Sequence, residues 1–119
     1  MKNIIAIVSI LSLLLLPVSC MKAPTPIPDH YKDFIGSWNG ENGSRVTINA
    51  DGTGAMEIIQ VKGNATSRNS AKPANIEIGE NEIAFGAAFG LQFRFTVNQK
   101  PEQSGDQWSM TVGGVAFSR

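Results

Sequence analysis

Chemistry needs particular side chains close together, and this chain has few of them. Cys20 is its only thiol and His30 its only imidazole. A structural zinc site draws four ligands mostly from those two residue types, so none is expected. A catalytic histidine needs a nucleophile or a carboxylate within hydrogen-bond reach, and His30 has no partner at a diagnostic spacing. Glu77, Glu80 and Glu82 straddle a turn and read as solvated charge, although paired carboxylates are also what glycoside hydrolysis uses. Asn49-Ala50-Asp51-Gly52-Thr53-Gly54 has the look of a calcium loop but lacks the full oxygen set and the closing glutamate, so a hairpin turn explains it better. Asn42-Gly43-Ser44 and Asn64-Ala65-Thr66 match the glycosylation sequon, which carries weight only in a eukaryotic host. The expectation is a chain with no catalytic residues, no metal and no cofactor.

Cys20 is better explained by where it stands. Met1-Lys2-Asn3 precedes an uninterrupted run from Ile4 to Leu16 that is apolar apart from two serines, and Pro17 ends it. That is the length of a signal-peptide core and shorter than the ~20 residues a membrane-crossing helix requires. Pro17-Val18-Ser19-Cys20 then resembles the lipobox of bacterial lipoproteins, with a small residue directly before the cysteine. Pro17 occupies the place where that family usually has Leu. The resemblance implies cleavage before Cys20 and acylation of its thiol and new amine. Ordinary signal-peptidase cleavage near the same point is the alternative. Acyl chains contribute about 0.8 kcal/mol per buried CH₂, so two or three would hold the chain on a membrane. Met21, rather than Asp, follows the cysteine, which in that family leans towards the outer membrane if the host has one.

Removing 19 of the 119 residues leaves 100 and takes Lys2 with them, so nine Lys and Arg face ten Asp and Glu. A near-neutral chain without a basic patch makes nucleic acid a poor partner. The organisation expected is a signal peptide over residues 1–19, a lipidated cysteine and proline-rich linker over 20–33, and a folded domain over 34–119. Ala23-Pro24-Thr25-Pro26-Ile27-Pro28 reads as an extended spacer, and Asp29 as the cap of one helical turn reaching Phe34.

Beyond Phe34 the period is two. Val46, Ile48 and Ala50 alternate with polar residues, as do Leu91, Phe93, Phe95 and Val97, then Trp108, Met110 and Val112, then Val115 and Phe117. Such alternation marks antiparallel strands packed on one face. Asp51-Gly52, Glu80-Asn81 and Gly113-Gly114 punctuate them as hairpin turns. The fold expected is all-β: an antiparallel meander closing into a small barrel of about six to eight short strands, its interior filled by Ile48, Ile59, Phe93, Phe95, Trp108 and Met110. Residues 62–74 are polar and read as a mobile surface loop. Gly86-Ala87-Ala88-Phe89-Gly90 reads as a tight strand junction with Phe89 in the core, or alternatively as a contact patch around Phe89.

Gly36-Ser37-Trp38 before the first strand, with Asp51-Gly52-Thr53-Gly54 and the closing Gly114–Arg119 segment, resembles the small lipocalin-like domains of bacterial lipoproteins. The resemblance implies that Gly36 opens the first strand, that Trp38 plugs one end of the barrel, and that a cation from the last strand, Arg119, covers the indole. Arg94 is the rival cation. It implies a binding function: a non-enzymatic envelope lipoprotein whose barrel takes an apolar small molecule or a protein partner, with Phe89, Phe93 and Phe95 as contact candidates. Inhibition of a protease- or lysozyme-type hydrolase is the alternative.

Overall fold

The computed structural model describes residues 23–119. The signal segment and Cys20, with the lipid expected there, lie outside the described residues. Eight strands follow one another in chain order: β1 Gly36–Gly40, β2 Arg45–Ile48, β3 Thr53–Lys62, β4 Ala65–Ile78, β5 Glu82–Gly86, β6 Gln92–Ser104, β7 Gln107–Val112 and β8 Val115–Ser118. Each pairs antiparallel with the next, and β8 returns to β1 through Asn39–Ser118 and Gly40–Phe117, closing the barrel. The all-β meander expected from the sequence is what forms.

Alternation decides the packing. Val46 and Ile48, Met56 and Ile58, Ile83 and Phe85, Phe95 and Val97, Met110 and Val112, and Val115 and Phe117 are all buried; of the residues between them Thr96 and Ala116 are exposed, Thr47, Glu57 and Thr111 half-buried, and Ala84 alone is buried. Trp38, Phe85, Phe117, Met56 and Met110 lie among the largest fully buried side chains. Apolar side chains from every strand therefore fill the interior, each contributing about 1.5–3 kcal/mol when fully buried. Of the expected interior set, Ile48, Phe95 and Met110 belong to this core, and Phe93 and Trp108 pack against it half-buried. Ile59 is buried apart from that cluster, next to Ser44. The Ser44 hydroxyl accepts the Ile59 N–H at 2.9 Å and donates back to its carbonyl at 3.5 Å, so this buried hydroxyl is satisfied.

Several expectations need correction. Residues 62–74 are not a loop. β4, 14 residues long against the 10 of β3, takes in residues 65–74 and pairs there with β3 alone, making a two-stranded ribbon. Most of these β4 residues meet water and only Ala71 and Ala74 reach the core, so almost no apolar alternation was there to be read. Pro73 sits at the register shift opposite Ala55, where the ladder requires no N–H from it. β6 is 13 residues long, beyond the short strands expected. Asp29 lies inside the six-residue 3₁₀ turn Asp29–Phe34, and Pro28, not Asp29, occupies the cap position. Ala50 falls past the end of β2 and is exposed.

The spacer expectation also changes. The Ile27 N–H donates to the Ala50 carbonyl at 2.9 Å and the Ile27 side chain joins the core. The backbone of Thr25 lies where a Cβ on Gly52 would have to go, and Gly52 has φ +87°. Only glycine meets both conditions. From Thr25 onward the proline-rich segment is thus docked on the β2–β3 turn.

Candidate functional site

An up-and-down meander sorts its connections into two ends. One end carries the Asp29–Phe34 turn, the turns at 49–52, 79–81 and 105–106, and the last residue, Arg119. The other carries the Glu41–Gly43 turn, the 63–64 tip of the β3–β4 ribbon, the loop around Ala88–Gly90, and Gly113-Gly114. The two ends are built differently.

The first is sealed. Trp38 is 1% exposed, and its indole N–H donates to the Phe34 carbonyl at 2.8 Å. The Arg119 guanidinium carbon lies 4.6 Å from the Trp38 ring centroid and 5.1 Å from that of Trp108, and its Nη2 donates to the Asp33 carbonyl at 2.9 Å. A cation between two indole faces gains from both quadrupoles. Backbone bonds between Trp108 and Arg119, at 3.0 and 3.1 Å, hold the pair in register. Gly36 stands directly beneath, at φ +142°; a Cβ there would meet Arg119 Nη1 at 2.8 Å. Arg94 is elsewhere, pairing with Glu82 at 2.7 Å on the outer wall.

The second end is exposed. Phe89 is 84%, Leu91 60% and Val61 51% exposed, the large hydrophobic residues left in water among those described. Phe89 is not in the core, which corrects the junction reading. Phe95 is buried against Phe85 at 6.1 Å between centroids and Phe93 is half-buried, so the three contact candidates do not form one surface. The Ala87 N–H donates to the Leu91 carbonyl at 2.7 Å, tying the base of the loop. At its crown Phe89 has φ 63° and ψ 27°, followed by Gly90 at φ +75°. Glu41-Asn42-Gly43 makes the same turn, with Asn42 at φ 60° and ψ 22°. Asparagine tolerates the left-handed region, whereas a bulky residue there is an outlier.

The remaining candidates stay apart. His30 is exposed beside Tyr31, at 4.1 Å between centroids. Glu80 pairs with Lys100 at 3.2 Å and Glu82 with Arg94. Asp51 Oδ1 accepts both the hydroxyl of Thr53 at 2.6 Å and its N–H at 3.0 Å, a hairpin-turn arrangement; the hydroxyl bond first, then the backbone bond, lowers the Asp51 pKa. Among the described residues no three His, Cys, Asp or Glu side chains come together as a metal-binding group.

Sequence reading left the position of Phe89 open between the core and a contact patch, and did not foresee its backbone conformation. The signal was the parallel between Asn42-Gly43 and Phe89-Gly90, two X-Gly pairs in short links between strands. No family model matches the chain, nor does any curated protein or any solved structure.

Proposed function

We propose that this protein is a non-enzymatic, lipid-anchored binding module of the bacterial cell envelope that engages a protein partner through the loop crowned by Phe89. The observation that carries the reading is the mismatch at Phe89 between residue and position. A left-handed conformation costs a non-glycine residue about 1–2 kcal/mol. Phe89 recovers none of that by burial, because its ring is in water. Neither local backbone preference nor core packing accounts for a phenylalanine there, and strain combined with an exposed aromatic ring is the mark of a contact residue.

The filled interior supports a partner at the rim over an apolar molecule inside the barrel. The tether supports the same geometry. An anchor at Cys20 leads through five residues to Thr25, at the sealed end, so the open end and Phe89 face away from the membrane. Fully extended, five residues reach about 17 Å, which keeps the sealed end close to the lipid surface. The protruding loop also suits the second reading, insertion into the active-site cleft of a hydrolase. Met21 after the cysteine favours the outer membrane in a host that has one.

Photo-crosslinking from position 91 of the full chain in envelope membranes tests the proposal. A discrete crosslinked species, lost in Phe89→Asn and Phe89→Asp while the barrel stays folded, is the expected result. A crosslinking pattern unchanged by both substitutions contradicts it.

A further inference from the structure

Beside the open end lies a cleft of about 600 Å³, between the β3–β4 ribbon, β6 and the β7–β8 turn. Its volume suits a small ligand, for which sites of about 300–1,000 Å³ are usual, but such sites are mostly apolar. This one is not. Gln60, Asn69, Gln92 and Asn98 are the amide residues of its lining, Lys62 and Arg94 the cations, and Phe93 an aromatic ring; no aspartate or glutamate lines it.

The amides are partly fixed in advance. Gln60 Nε2 donates to the Gly113 carbonyl at 2.7 Å, leaving its carbonyl oxygen to accept. Asn98 Oδ1 accepts the Gly114 N–H at 2.8 Å, leaving its NH₂ to donate. Gln92 Oε1 accepts from Arg94 Nη2 at 2.8 Å and likewise keeps its NH₂. A planar amide offers donors and an acceptor at fixed spacing, which matches ring hydroxyls that both donate and accept. The Phe93 ring offers a flat apolar surface with a negative face, suited to the slightly positive C–H side of a pyranose. The Arg94 charge is already met by Glu82 at 2.7 Å, whereas Lys62 pairs with no carboxylate among the described residues, so its charge is available to the occupant.

We propose that this cleft binds a saccharide carrying an acidic group, with the amides on its hydroxyls, Phe93 against its C–H face and Lys62 on its anion. The site depends neither on the lipid anchor nor on the Phe89 loop. An apolar ligand would leave these amides unpaired, and a polycation would meet Lys62 unfavourably.

The test is a titration of the ¹⁵N-labelled full chain, in dodecylphosphocholine micelles, with digalacturonic acid, galactose 6-phosphate and the neutral sugars galactobiose and galactose. Saturable shifts of the Gln60, Asn69, Gln92 and Asn98 resonances by an acidic sugar are expected, with a Kd of about 1 mM or below. The matched neutral sugar should bind about 10-fold more weakly, the ratio that one added charge contact of ordinary strength gives. Lys62→Gln should erase that preference, and Asn69→Ala should weaken acidic and neutral sugars alike; neither side chain holds the fold. No saturable shift at these residues with either acidic sugar overturns the proposal. So does a preference for acid that survives Lys62→Gln.

Discussion

Replacing Phe89 with asparagine should make the protein more stable, an unusual outcome for removal of a large apolar residue. The expectation follows from three features of the structure. Phe89 is 84% exposed, so its removal forfeits little burial. It adopts φ 63°, where asparagine is several-fold enriched over other non-glycine residues. Asn42 already occupies the same conformation before Gly43. The left-handed conformation costs about 1–2 kcal/mol for a residue with an ordinary Cβ, and asparagine recovers about half through local hydrogen bonds, so the gain should be about 0.5–1 kcal/mol. For a domain of this size that corresponds to a rise in Tm of about 2–8 °C. Thermal unfolding followed by far-ultraviolet circular dichroism, with urea titration for the free energy, measures it. Phe89→Asn should then be the more stable and less functional variant, the trade expected where a binding residue sits in a conformation it does not favour. A loss of more than about 0.5 kcal/mol with unchanged urea dependence would refute the reasoning, because it would mean that Phe89 packs against something that holds the fold.

Other consequences are as direct. Arg119→Ala removes both indole contacts and the bond to the Asp33 carbonyl; because the guanidinium is solvated, the loss should be about 1–2 kcal/mol, with Arg119→Lys intermediate, as measured by urea unfolding. Ser44→Ala strips the buried Ile59 N–H of its partner and should cost about 1–3 kcal/mol in the same assay. Gly52→Val forces a side chain against Thr25, so the Ile27 amide, bonded to Ala50, should lose hydrogen-exchange protection while amides of β5 keep theirs. The Asp51 carboxyl is held below its ordinary value by the Thr53 hydroxyl, so its contribution is present above the unfolded pKa, about 3.9, and is lost as pH falls through the lower folded one. The stability difference between wild type and Asp51→Asn should therefore shrink on acidification below about pH 4, read from urea midpoints across that range.

The legible parts of the fold were those where one face of a strand is wet and the other buried. β2, the first half of β6, β7 and β8 announce themselves by alternation, and the turns at Asp51-Gly52 and Gly113-Gly114 by residue type. β4 was illegible over its first ten residues because most of them are solvated and the two that reach the core, Ala71 and Ala74, are too small to mark an apolar face, so the strand has the composition of a loop. The docking of Ile27 was hidden for a different reason: proline alternation describes backbone stiffness, not what the stiff segment lies on. At the sealed end, the sequence offered two cations for the indole, and distance decides it, since Arg94 faces Glu82 across the outer wall while Arg119 stands over Trp38 and Trp108. The cleft at the open end could not be read at all. Gln60 and Gln92 come from different strands, and only the ribbon's position over β6 brings them to one cavity.

The anchor is the claim on which the orientation rests, and the intact mass of the protein from the membrane fraction of a bacterial host tests it most directly, beside a Cys20→Ala control. The account predicts a chain beginning at Cys20 and carrying the added mass of acyl chains, absent from the control. An unacylated chain recovered from the soluble fraction would contradict it, leaving the Phe89 loop to act from a free secreted domain.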